Sequence, residues 1–214
     1  AGWYQMAATL SAGRSLWWLK DEVLHLRGDD AYAAMTAWAE EVPAGAEGLL
    51  FLPYLVGERA PHMNPQARGM FLGLTACHGR EHLVRAVMEG VVLACRDACQ
   101  VLIDLGARPN AIVVGGGGAR SRLWRQIVAD VFGLPVQPVT TSEQSALGAA
   151  VLAGAASGLH HPNQAAVHWA SYRAPVLPDP DRHDLYEESL ALFRRAYRVH
   201  RQDFRALGSL STGA

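Results

Sequence analysis

Apolar positions along the chain switch between helical and extended spacing, and the switching maps a series of short elements. Leu16, Leu19, Val23 and Leu26 recur at helical intervals and predict a helix over 14–26, with another over 31–41. Residues 6–10 read as a short strand, as do the dense apolar run 49–56 and the segment 69–74. The prolines in 57–65 make the intervening segment an irregular loop. Residues 81–105 are apolar on more than one face and stop at Gly106, a pattern for a long helix held between a sheet and another element. A strand through Val114, a helix over 121–132 and a strand over 136–139 follow. Thr141, three residues before Gln144, fits a capping box opening a helix that runs to Ser157. That helix is almost all small residues over 146–156, so a close-packed neighbour is expected. After a linker over 175–181, Tyr186, Leu190, Phe193, Tyr197, His200 and Phe204 mark a final amphipathic helix. This succession of strands and helices argues for an α/β domain.

The strand at 111–114 runs directly into Gly115, Gly116, Gly117 and Gly118, followed by Ala119, Arg120 and Ser121. Glycines let a backbone approach a ligand with no Cβ in the way, and the first free amides of the next helix favour an anion. A ligand-free strand-to-helix turn would read the same way. A P-loop is excluded, because the only lysine, Lys20, has no glycine loop before it. A dinucleotide fingerprint fails as well. Its third glycine falls on Arg120 or Ser121, and the next strand ends without an acid.

A length of 214 residues, half of them hydrophobic, suits one domain with a tail. The formal charge of −1 provides no basic field for nucleic acid and no membrane-surface patch, so neither partner is expected. No run of about eighteen apolar residues and no export signal is visible. Cys77, Cys95 and Cys99 form an odd set that fits a reducing, cytoplasmic compartment. Cys77, His78 and His82 lack the paired spacing of a metal site, and none is assigned. His160 and His161 read as a surface loop.

Several motifs then occur in order. Gly69-Met70-Phe71-Leu72-Gly73-Leu74, His82-Leu83 and Ala86-Val87-Met88-Glu89 resemble the C-terminal signature of the FGGY carbohydrate kinases. Leu52-Pro53-Tyr54-Leu55, Gly57-Glu58-Arg59-Ala60-Pro61-His62 and Ala67-Arg68-Gly69 are most similar to the xylulokinase branch. The glycine run with Trp124, and Ser145-Ala146-Leu147-Gly148-Ala149-Ala150, fit in the same order and carry the resemblance to Gly158.

The resemblance implies an actin-like ATPase, ribonuclease H-like fold, with 1–174 as the second lobe of a two-lobed sugar kinase. A linker and helix over 175–206 would pack on it, with a disordered tail over 207–214. It implies ATP with Mg²⁺, ATP and ADP as the nucleotide partners, and a sugar bound through the N-terminal lobe. The family's catalytic aspartate would also lie in that lobe, so no catalytic residue is assigned here. Xylulose is the implied substrate, with ribulose, gluconate or glycerol as alternatives, and a non-catalytic actin-like assembly module as another class. A homodimer is left open. The nucleotide contacts that carry over are Gly13, Gly117, Gly118, Ala119 and Arg122, the last either stacking on the purine or simply exposed. Trp17 replaces a polar contact of the family's glycerol kinases.

Among the charged residues, Arg85 and Glu89 have the spacing of an intrahelical pair. Glu58, Arg59 and His62 crowd the proline-bounded loop. A structural ion pair is the simpler expectation there, and a role facing the cleft the more functional one.

Overall fold

The computed structural model describes residues 4–141 and 143–210. The chain divides into two compact units. The first comprises Ala1–Arg108 and Asp179–Ala214, the second Pro109–Pro178.

In the first unit, α1 (Ala12–Trp18) continues as a π-type turn over Leu19–Val23, and α2 spans Ala31–Glu40. Strands β1 (Leu50–Leu52) and β2 (Met70–Leu72) pair antiparallel, with Phe51 opposite Phe71. No strand forms at 6–10. Its Ala8 carbonyl instead accepts from the Ala60 amide of the loop at 3.0 Å. Both strands are shorter than their apolar runs, because Pro53 interrupts the first and Gly73 turns the second with φ +94°.

The long helix α3 (Arg80–Asp104) is the centre of this unit. Every residue of 84–94 is buried, so this stretch of the helix is covered on all sides, as its apolar pattern requires. It packs against α1, α2, β1 and the final helix α7 (Pro180–Leu210). A Cβ at Gly90 would run into the Phe51 carbonyl oxygen, so only glycine lets β1 lie this close. Tyr186, Leu190, Phe193, Tyr197 and Phe204 are buried along α7, while His200 is only partly covered. The helix continues through 207–210, where a tail is expected to begin; residues 211–214 lie outside the described ones.

The intrahelical pair is present, and it is buried. Arg85 Nε lies 2.6 Å from Glu89 Oε1, and the Tyr186 hydroxyl donates to the same oxygen at 2.7 Å. The Gly45 amide also donates to it at 3.1 Å, and Arg85 reaches the Ala39 carbonyl. Burial pushes the Glu89 carboxyl up, and Arg85 pulls it back down.

The proline-bounded loop is not held by an ion pair between its own residues. Glu58 Oε1 accepts from the amides of Arg59 at 2.7 Å and Leu10 at 3.1 Å, while Arg59 is exposed. His62 stacks on Tyr197 with centroids 3.5 Å apart, and its Nε2 lies 3.7 Å from Asp97, itself bound to Arg194 at 2.5 Å. Glu58 is 2% exposed, and its Oε2 has no partner among the described residues. Burial raises its pKa above the ordinary 4.5, against the two amides.

In the second unit, β3 (Ile112–Val114) and β4 (Val136–Pro138) pair parallel. The crossover is α4 (Arg122–Phe132), capped by Ser121 Oγ accepting from the Trp124 amide and ended by Gly133 at φ +63°. Then come α5 (Gln144–Ala156) and α6 (Pro162–Trp169). Residues 172–176 run back beside β4 through the Val139–Tyr172 and Val136–Val176 bridges, so the expected linker begins later than 175. The close neighbours of α5 are His160, which sits over Gly154, and α6. Most of that helix is exposed within the described residues. His160 is therefore not a free surface side chain. It packs edge-on to Trp169 and both ring nitrogens are buried.

Arg85→Ala would strand the buried Glu89 carboxylate and is expected to cost about 3–5 kcal/mol in urea unfolding. A loss below about 1 kcal/mol would show that the node contributes little. Glu58 has a raised folded-state pKa, so its contribution is fully present below pH 4.5 and is lost as pH rises through the folded pKa. The stability of Glu58→Gln relative to the native chain should therefore increase from pH 4.5 towards neutrality in paired denaturation curves. A flat difference would contradict the buried, partnerless oxygen.

Candidate functional site: the glycine turn of the second unit

Strand β3 delivers the chain into the glycine run, and the run bends twice. Gly116 has φ +78° and ψ −169°, a conformation essentially reserved for glycine. Gly117–Arg120 then form one 3₁₀ turn before Ser121 opens α4. A hollow of about 180 Å³ lies beside this bend, within the second unit.

Gly116, Gly117, Ala119 and Arg120 form one wall of it. Val139, Thr140 and Thr141, leaving the end of β4, form the next. Glu143 and Gln144 at the start of α5, and Arg173 from the segment beside β4, complete it. A Cβ added at Gly116 or Gly117 would meet nothing within 4 Å, so the bend is open and not plugged by bulky neighbours. The open end of the parallel pair, beyond the carboxyl ends of its strands, is where α/β sheets place ligands.

The capping box is not formed. The helix begins at Gln144, preceded by Glu143, and the Gln144 side chain donates to the Thr141 carbonyl while resting against Gly115. This side chain lines the hollow, a role that helical spacing alone does not reveal.

Of the residues expected to contact a nucleotide, Gly117 and Ala119 line the hollow. Gly118 lies behind it against the Trp124 ring. Arg122 is exposed in the first turn of α4 and does not line the hollow. Gly13 belongs to the first unit, near the start of α1, where a Cβ would also meet open space. The neighbouring Trp17 is 43% exposed. Arg120, Glu143, Gln144 and Arg173 are site residues that sequence reasoning missed. Arg120 stood inside the glycine motif, whereas Arg173 reaches the hollow only because residues 172–176 fold back along β4.

Among the described residues, no three His, Cys, Asp or Glu side chains converge as metal ligands. His82 is engaged otherwise, since its Nδ1 accepts from the Gly79 amide at the start of α3.

The pattern of the FGGY family of carbohydrate kinases, C-terminal domain, matches residues 1–157. The chain belongs to this family. It is 39% identical over 197 residues to xylulose kinase of Escherichia coli, covering 92% of this chain and 40% of that protein. The crystal structure of xylulose kinase from Rhodospirillum rubrum superimposes with a TM-score of 0.81 at 35% identity, over 92% of this chain and 40% of that one. Gluconate kinase from Lactobacillus acidophilus superimposes with a TM-score of 0.83 at 30% identity, over 93% and 40%. The chain thus spans about two-fifths of the length of these relatives. Its α/β fold is that of the actin-like ATPase class to which these kinases belong.

Gly117→Ala should leave unfolding within about 0.5 kcal/mol of the native chain, because nothing crowds the added methyl. Gly116→Ala should cost of order 1–3 kcal/mol through backbone strain. Equal effects of the two in urea denaturation would contradict the geometry of the bend.

Proposed function

We propose that this chain is the nucleotide-binding C-terminal lobe of an ATP-dependent carbohydrate kinase acting on xylulose, giving ADP and xylulose 5-phosphate. The observation that carries the reading is the open glycine bend and its hollow, on a chain aligned along most of its length with xylulose kinases. The fit to a nucleotide rests on Gly117, where bare main chain borders open space, and on Arg120 and Arg173 at the same walls. Ala119 shares the hollow. Gly13, Gly118 and Arg122 are proposed as supporting contacts that require a complete cleft.

The hollow is small. Pockets that enclose drug-sized ligands measure about 300–1,000 Å³, so this unit would hold one part of ATP and leave the rest to other surfaces. A helix terminus contributes about 0.3–1 kcal/mol to a bound anion. Enzymatic acceleration requires roughly 8–23 kcal/mol from positioning, charge stabilisation and proton transfer. One wall cannot supply that, and the chain alone is proposed to be inactive. In a two-lobed kinase the γ-phosphoryl group passes in line to a sugar hydroxyl whose proton an aspartate accepts. Within that reaction this chain's residues bind and orient the nucleotide and help exclude water.

Mg²⁺ is not held by a cage here. Glu143 is the one carboxylate on the lining, and such an ion is ordinarily carried on the phosphates with several of its waters. The likeness to gluconate kinase favours gluconate as the second substrate reading. A cytoplasmic setting is supported by three unpaired cysteines, and no helix among the described residues is long and apolar enough to cross a membrane. A homodimer is compatible with the reading.

Joined to an N-terminal FGGY lobe, the chain is expected to support sugar-dependent ADP formation, with kcat/KM highest for xylulose among xylulose, gluconate, ribulose and glycerol. Alone it should bind ATP weakly and phosphorylate none of them. Gly117→Ala should raise KM for ATP, reflecting about 1–3 kcal/mol of overpacking in the nucleotide wall. ADP formation independent of any sugar would refute the kinase reading.

A further inference from the structure

The hollow carries more positive charge than an amide-lined bend needs. Arg120 reaches it from the turn that follows β3. Arg173 comes from the other side of β4, where its own amide donates to the Pro138 carbonyl at 2.9 Å and the Val139–Tyr172 bridge fixes the segment. β4 therefore lies between the two arginines, pairing with β3 on one edge and with 172–176 on the other. Neither guanidinium has a hydrogen-bond or ion-pair partner among the described residues. By contrast, Arg125 on α4 is engaged with the Ala119 carbonyl at 3.2 Å. Glu143 is the one acid on the same lining, so the charged side chains sum to a net positive wall.

The lining is also poor in apolar surface. Its hydrophobic side chains are Ala119 and Val139, too little to sandwich a purine. Free backbone and planar guanidinium forks suit an oxyanion instead. We propose that Arg120 and Arg173 form a two-guanidinium clamp for the phosphate attached to the nucleoside, so that this wall selects nucleotides over nucleosides. The clamp rests on the nucleotide-binding reading above and adds to it the part of the ligand that the hollow takes. Arg173 has this role through the fold alone, since it stands outside every motif of the glycine turn.

Titration of the ¹⁵N-labelled chain with adenosine, AMP and ADP, followed by amide NMR, tests the clamp. The amides of Gly116 and Gly117 should shift with AMP and ADP. Arg173→Ala and Arg120→Ala should each weaken AMP and ADP by about tenfold and adenosine by less than about twofold. Arg173→Lys, which keeps the charge but loses the fork, should fall between the native chain and Arg173→Ala. Its spectrum also guards against a folding defect in the alanine variant. A nucleotide response in the native chain with no loss in Arg173→Ala and Arg120→Ala overturns the clamp alone. Equal losses for adenosine and AMP overturn it in favour of stacking on the base. No response of the glycine amides to any of the three ligands overturns the nucleotide-binding reading, and the clamp with it.

Discussion

The constraint that organises the second unit is the need to keep main chain bare at the end of β3. The strand must turn at once into a helix, yet leave its peptide groups reachable from the side where parallel strands end. Gly116 meets the first demand by adopting a backbone conformation closed to residues with a Cβ. Gly117 meets the second by presenting no side chain to the hollow. The surrounding features adapt to this bend. Trp124 backs Gly118, the Gln144 side chain leans on Gly115, and Ser121 caps the helix that carries the chain away.

The first unit is organised by burial of one stretch of a single helix on every side. An all-round apolar helix leaves no solvent face, so its polar groups must be satisfied by neighbouring elements. Arg85 and Glu89 do this by joining each other, the Tyr186 hydroxyl on α7, the Ala39 carbonyl and the Gly45 amide. One buried charge pair thus ties α2, α3 and α7 together. Such a pair is weak as a source of net stability, because desolvation offsets its attraction, but it fixes which neighbours fit. Gly90 sets the remaining dimension, the close approach of β1.

The two units have different chemical character. Polar groups in the first are mostly committed to one another: His62 to Tyr197 and Asp97, and Asp97 to Arg194. The second keeps guanidinium groups unpaired among the described residues, and bare main chain, around a hollow. That contrast supports the binding role proposed for the second unit, because uncommitted polar groups retain their capacity to meet a ligand. The hollow is smaller than pockets that enclose a whole drug-sized ligand.

The sequence by itself determined the α/β class, both long helices, the glycine turn and the family. Periodicity, glycine placement and motif order are local properties, and they survive in any fold that buries the apolar positions. Strand 6–10 and the capping box at Thr141 did not appear as expected. Each was read from residue types whose outcome depends on partners far away in the chain. Tertiary structure alone decided that Arg173 reaches the glycine turn, that Arg122 does not line the hollow, and that Glu58 accepts backbone amides instead of pairing with Arg59. The physical reason is plainest for Arg173. A side chain's polar partner is set by which backbone segment lies beside it, and strand pairing between residues more than thirty positions apart leaves no periodic trace in the chain.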